Sequence, residues 1–164
     1  MNNLTNQIKA SLLSYYKFKI GAKLVATEVA TNHGTADVLV LTKSMKVYEI
    51  EIKISISDLK NELKKNDKNT EYRKWKYNYP SPNKYYFCVP SSMLEYTVEF
   101  ASKLNNKYGV IEYRPTKYYM NRFRIIKKAS FLHILNDTGK YENAIIQRID
   151  NDLCRRYSLL YPIK

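Results

Sequence analysis

A mixed α/β fold is the class this sequence predicts: a central mixed β-sheet flanked by α-helices, with one further helix at the C-terminal end. Three observations carry it. Leu4, Ile8, Leu12 and Tyr16 recur at every fourth position, the spacing of one helical face. Val47 to Ile54 alternates strictly, with Tyr48, Ile50, Ile52 and Ile54 on one side and Val47, Glu49, Glu51 and Lys53 on the other, which is the period of a strand. Ile145, Ile149 and Leu153 then mark a closing helix over about residues 140–158. The 164 residues suit one domain, so residues 1–164 are taken as a single unit.

The remaining elements follow in order. The first helix spans about residues 4–17, and Gly21 ends the link after it. Lys23 to Ala30 alternates loosely as a strand, and Asn32-His33-Gly34 is a turn signal. Ala36 to Leu41 is a short apolar run that holds one carboxylate, Asp37. Lys43 to Lys46 interrupts it before the alternating strand. Ser55 caps a helix that runs to about Lys65, with Asp58 answering the cap. Helix resumes over Glu71 to Tyr77 until Pro80 and Pro82 stop it. Tyr85 to Val89 is a buried strand ended by Pro90. Ser92-x-x-Glu95 has the form of a capping box, and Met93, Tyr96, Phe100 and Leu104 line the helix after it. Tyr108-Gly109 closes that helix with Gly past its end, and Val110 to Tyr113 is a short strand. Between Arg114 and Asp137 only Phe123–Ile126 has a strand-like pattern.

The charge balance is the strongest bulk signal. Lys and Arg number 28 against 15 Asp and Glu, a net charge of +13. Such a chain attracts polyanions, and nucleic acid is the usual one; a solvated, soluble surface is the other reading. Among the 16 Tyr, several stand beside cations, as in Lys74-Trp75-Lys76-Tyr77, Lys84-Tyr85-Tyr86 and Lys117-Tyr118-Tyr119. Rings so placed can stack on unpaired bases, although aromatic residues more often fill cores and sheets. Cys88 and Cys154 are far apart and, with only His33 and His133, build no zinc site, so reduced thiols are expected. The first residues lack the apolar stretch of a signal peptide, and the longest aliphatic run, Val38 to Leu41, is too short to cross a bilayer. A cytoplasmic setting without membrane attachment is expected.

The sharpest local pattern is Asp37, Glu51 and Lys53. A turn at residues 43–46 sets Asp37 nearly opposite Glu51 or Ile52, and cross-strand neighbours lie only about 5 Å apart. Converging carboxylates repel unless a cation joins them, and a hard ion such as Mg²⁺ takes oxygen ligands of this kind. The carbonyl of Ile52 lies between Glu51 and Lys53 and offers a third oxygen. Lys53 shares a strand face with Glu51, so its ammonium can reach a water or phosphate there. A Glu-x-Lys on a strand also fits an exposed cross-strand charge pair. His33 fits a turn, and His133, among Phe131, Leu132 and Ile134, fits a bonded core histidine. No Gly-rich phosphate loop is present.

Asp37, then Glu51-Ile52-Lys53, then Ser55-x-x-Asp58 resembles the PD-(D/E)XK nuclease superfamily of restriction-endonuclease-like proteins, and more narrowly its small bacterial and phage MmcB-type members. The block Glu51-Ile52-Lys53-Ile54-Ser55-Ile56-Ser57-Asp58-Leu59, the pair Lys74-Trp75 with Tyr77 or Tyr79, the strand Tyr86-Phe87-Cys88-Val89-Pro90 and the run Tyr108-Gly109-Val110-Ile111 stand in the order those proteins have, over about residues 25–113. Ala36 stands where the family name has Pro, and Glu49 adds a carboxylate on the face of Glu51. The resemblance implies a restriction-endonuclease-like core and Mg²⁺- or Mn²⁺-dependent hydrolysis of DNA, in repair, recombination or phage DNA processing. It implies metal on Asp37, Glu51 and the Ile52 carbonyl, with Glu28 as a further ligand, and Lys53 as the group that orients or activates water. It implies DNA contacts from Lys64, Lys74, Lys76 and Tyr79, and pairing of two copies as a homodimer. Two other classes fit the same composition: a non-catalytic basic nucleic-acid-binding module on this fold, and a protein-interaction or inhibitory factor with a charged surface.

Overall fold

The computed structural model describes residues 3–31, 34–64, 81–118, 121–134 and 138–160. They form a six-stranded mixed sheet with helices on both faces, as the hydrophobic periodicities require. The strands are β1 (Leu24–Thr31), β2 (Gly34–Leu41), β3 (Val47–Ile52), β4 (Lys84–Pro90), β5 (Gly109–Tyr113) and β6 (Phe123–Lys127). They lie side by side in chain order. β1, β2 and β3 form an antiparallel meander, β3, β4 and β5 run parallel, and β6 returns antiparallel. The α-helices are α1 (Asn3–Ser14), α2 (Ile56–Lys60), α3 (Leu94–Leu104) and α4 (Gly139–Leu160).

One face of the sheet packs on α1. Ile8 and Leu12, fully buried, meet Val38, Val40, Ile50, Ile52 and Cys88, and each contributes about 1.5–3 kcal/mol by leaving water. After Ser14 the helix widens to a π-helical stretch, Tyr15–Ile20. Gly21 ends it at φ 69°, a left-handed conformation that glycine adopts without a Cβ penalty. The other face carries two packed regions. Under α3, Ala101 and Leu104 join Tyr85, Phe87, Val89 and Val110; under α4, Tyr141 and Ile145 join Ala26, Val29, Leu39, Leu41 and Val47.

Two terminal signals resolve differently from the sequence pattern. Ser92 does not cap a helix: Ser91–Met93 is a 3-10 turn after extended Pro90, and Met93 takes the cap position without a side-chain bond. Gly109 is no helix end either. α3 stops at Leu104 with Asn105 as its cap, and Gly109 opens β5. Its lack of a side chain serves a close approach, since a Cβ there would lie 2.4 Å from the Tyr86 ring and 2.7 Å from the Ala129 nitrogen. By contrast Ser55 caps α2 as its sequence suggests, its hydroxyl accepting from the Asp58 N–H at 3.2 Å. That helix is short and tightens into a 3-10 turn, Asn61–Lys64. The stretch Glu71 to Tyr77 lies outside the described residues.

Among the described residues no helix is long and apolar enough to cross a membrane. Cys88 is buried, Cys154 is exposed, and neither forms a disulfide. His133 sits at the base of β4, its Nε2 2.7 Å from the Ser81 carbonyl, while Asn83 donates to its backbone oxygen; it is a structural residue.

Candidate functional site

The strand β3 decides which reading of Glu51-x-Lys53 holds. An exposed charge pair would be solvated, but Glu51 is 3% and Lys53 5% exposed. Both are interior. Charges are buried only when paired, because the cost of removing an ion from water is several kcal/mol. The pairing is local: the Lys53 ammonium lies 2.7 Å from Glu62 Oε1, 3.6 Å from Glu51 Oε2 and 3.8 Å from Asp58 Oδ1. Glu62 is 0% exposed. Burial pulls the Lys53 pKa down, but Glu62, Glu51 and Asp58 together outweigh that and hold it above the ordinary lysine value. Lys53 therefore keeps its proton at neutral pH. It supplies a fixed positive charge and hydrogen-bond donors, not a base.

Asp37 meets this strand from β2. Val38 pairs with Ile50 in the antiparallel register, which brings Asp37 level with Glu51. Its Oδ2 accepts the Ile52 N–H at 2.9 Å. In an extended strand the N–H and C=O of one residue point to the same side, so the Ile52 carbonyl also faces Asp37. The Lys53 N–H points the other way, to the Cys88 carbonyl at 3.0 Å. The hairpin geometry thus places Asp37 one residue from both Glu51 and Lys53.

Asp37 also belongs to a second group, of which the sequence announced Glu28 but not its cations. Glu28 lies across from it on β1, and the ladder between the strands runs in constant register from Leu24–Leu41 to Thr31–Gly34 except for this rung. Glu28 has φ 54°, the left-handed region. Both strands change face here. Ala26 and Val29 contribute to the same cluster, as do Ala36 and Leu39, although residues three apart on a regular strand face opposite ways. Into this break reaches Lys9 of α1, its ammonium 3.1 Å from Glu28 Oε1 and 3.2 Å from Asp37 Oδ1. From α4, Arg148 lies 3.4 Å from Glu28 Oε2, donates to the Thr27 carbonyl at 3.0 Å and pairs with Asp152 at 3.1 Å. Burial lowers the Lys9 pKa and the two carboxylates raise it further than that, so Lys9 too stays charged.

The proposed ligands therefore divide. Asp37, Glu51 and the Ile52 carbonyl are brought to one strand end. Glu28 is tied to Asp37, but both of its oxygens already rest on cations. Among the described residues no group of three His, Cys, Asp or Glu is gathered closely enough to hold a metal ion. Two carboxylates and one carbonyl are nonetheless a hard, all-oxygen set of the kind Mg²⁺ completes with water, and the ammonium on Asp37 shows that a cation suits this carboxylate. Glu49, the other carboxylate on the strand face of Glu51, is fully buried at the level of Tyr85. Lys64 is exposed at the end of the 3-10 turn. Lys74, Lys76 and Tyr79 lie outside the described residues, as does His33.

Comparison with known proteins bears on the fold. A solved structure, the SPO1766 protein of unknown function from Silicibacter pomeroyi, superposes with a TM-score of 0.58 over 93% of this chain and 87% of that chain, at 16% identity. No protein-family model and no curated protein matches. The likeness shows a shared α/β architecture.

Sequence reasoning missed Lys9, Glu62 and Arg148. Glu62 stands four residues after Asp58, the spacing that puts two side chains on one helical face, and that was a usable signal. Lys9 and Arg148 sit beside Ile8 and Ile149 at the borders of apolar stripes, where nothing in the pattern tells a buried cation from a solvated one.

Proposed function

We propose that this chain is a metal-dependent nuclease of the PD-(D/E)XK type that hydrolyses DNA phosphodiester bonds, on a restriction-endonuclease-like core. The observation that carries the reading is the bond from the Ile52 N–H to Asp37, which sets a carboxylate beside the end of a strand bearing Glu51 and Lys53. The mixed sheet with helices on both faces and the +13 charge are in keeping with it.

In this reading Asp37, Glu51 and the Ile52 carbonyl hold Mg²⁺ or Mn²⁺. A hard divalent ion so held lowers the pKa of water and offsets charge gathering on the scissile phosphate. Lys53, kept charged by its carboxylates, orients the attacking water and stabilises the phosphate oxygens as their charge grows. Glu62 and Asp58 act through Lys53 by fixing its ammonium. Lys64, with Lys74, Lys76 and Tyr79, follows the DNA backbone. A pair of copies would cut two strands, and the work would lie in DNA repair, recombination or phage DNA processing inside the cell.

The test is cleavage of plasmid and branched DNA in Mg²⁺ and in Mn²⁺. Nicking that disappears with EDTA and in Lys53→Ala supports the reading, and full activity in Asp37→Ala removes it. One observation favours a second reading, a non-catalytic nucleic-acid-binding module: Asp37 and Glu28 already rest on protein cations, Lys9 on both and Arg148 on Glu28. Salt-sensitive binding without cutting in either metal would select it.

A further inference from the structure

We propose that Lys9 is a tethered counter-ion that competes with a divalent metal for Asp37, so that loading the site requires its ammonium to leave. The inference rests on the reading above in one respect only, that Asp37 is a metal ligand. It deepens that reading by naming what controls occupancy.

Three features carry it. The first is the position of the ammonium, between Glu28 Oε1 at 3.1 Å and Asp37 Oδ1 at 3.2 Å. The other Asp37 oxygen is taken by the Ile52 N–H. A metal approaching Asp37 therefore meets either a backbone donor or a fixed positive charge. The second is confinement. The Lys9 side chain is 14% exposed and leaves a helix whose neighbours Ile8 and Leu12 are fully buried, so the charge cannot drift off into water without moving its stem. The third is the second cation on Glu28. Arg148 holds Oε2 and is kept on β1 by its bond to the Thr27 carbonyl, while Asp152, one turn along its own helix, pairs with another of its nitrogens. With Lys9 displaced, Glu28 would still be paired, while Asp37 would be released to the metal. The arrangement is thus asymmetric: one cation anchors the break in the strands and the other can exchange.

A positive charge next to a cation site weakens the site through repulsion, and linkage makes the effect reciprocal. Replacing Lys9 by an uncharged side chain of similar length removes the competitor. The experiment is a titration of the full chain with Mn²⁺ alone, followed by electron paramagnetic resonance and calorimetry, for the native protein, Lys9→Met, Lys9→Gln and Lys9→Arg. Lys9→Met and Lys9→Gln should bind Mn²⁺ about tenfold tighter than native, within the range usual for coupling between sites, and Lys9→Arg should stay as weak as native. Thermal melts give a second readout. Lys9→Met should melt lower than native without metal, and Mn²⁺ should raise its midpoint more than it raises the native one.

Equal or weaker Mn²⁺ affinity in both neutral variants, or no Mn²⁺ binding in any of the four proteins, overturns the inference. DNA cleavage is scored separately. A native protein that binds Mn²⁺ weakly, gains affinity in Lys9→Met and leaves DNA intact in both upholds the role of Lys9 while the nuclease reading fails. Cleavage that depends on Asp37 with no gain from Lys9→Met does the reverse.

Discussion

Glu28 and Asp37 face each other across β1 and β2 at the rung their ladder lacks, and the ammonium of Lys9 lies 3.1 Å from one and 3.2 Å from the other. The break is a local cost. A side chain in the left-handed region strains the backbone, and the two carboxylates would repel without a cation. Such conformations persist where the surroundings over-determine them, and here helices from both faces of the sheet supply the cations.

The strain at Glu28 is separable from its charge. Glu28→Ala removes the carboxylate and keeps a Cβ at φ 54°. Glu28→Gly removes both. The glycine variant should be more stable than the alanine variant by about 1–2 kcal/mol in urea unfolding, the usual penalty of that region for an L-residue. An alanine variant as stable as the glycine variant would show that the strand relaxes to an ordinary conformation.

Lys53 balances buried carboxylates, so its loss should cost more than that of a surface lysine. Lys53→Met removes a buried ammonium that lies against Glu51 and Glu62 and should lower unfolding stability by about 3–5 kcal/mol. Lys103→Met, at an exposed pair with Glu99, should cost far less, because solvent screens that pair. Similar losses from the two substitutions would contradict the interior pairing.

The pH dependence has a definite sign. Lys53 and Lys9 are both held above the ordinary value of 10.5. A raised pKa in the folded state means that the stability they contribute is complete below 10.5 and is lost as pH rises from there through the folded values. The stability gap between native protein and Lys53→Met should accordingly be constant at neutral pH and narrow above pH 10.5. A gap that widens with alkali would reverse the assignment.

Gly109 should tolerate no side chain. Gly109→Ala drives a methyl into the Tyr86 ring and the Ala129 backbone, and overpacking of this kind costs about 1–3 kcal/mol or more. For a chain of this size each kcal/mol lowers the melting midpoint by about 2–4 °C. Gly139→Ala, with nothing within 4 Å, is the control and should leave the midpoint in place.

If DNA is the partner, affinity should fall steeply with salt, because each neutralised phosphate releases counter-ions. Lys64→Ala should reduce the slope of log affinity against log salt by about 1 without altering sequence preference. An unchanged slope would take Lys64 out of the interface.

The sequence alone determined the α/β class, a mixed sheet flanked by helices, and the alignment of two residues of the candidate site. Period-four and period-two spacing placed α1, β3 and α4, because a face must be apolar wherever it meets a core. The hairpin through Lys43–Lys46 brought Asp37 level with Glu51, because register follows from the turn. Only the tertiary structure decided what those charges meet. Lys9 precedes Asp37 by 28 positions and Arg148 follows Glu28 by 120, and no local pattern encodes contacts between elements so far apart. Nor could alternation show that β1 and β2 both change face at Glu28 and Asp37, since that break is stabilised by cations from two helices and not by the strands themselves.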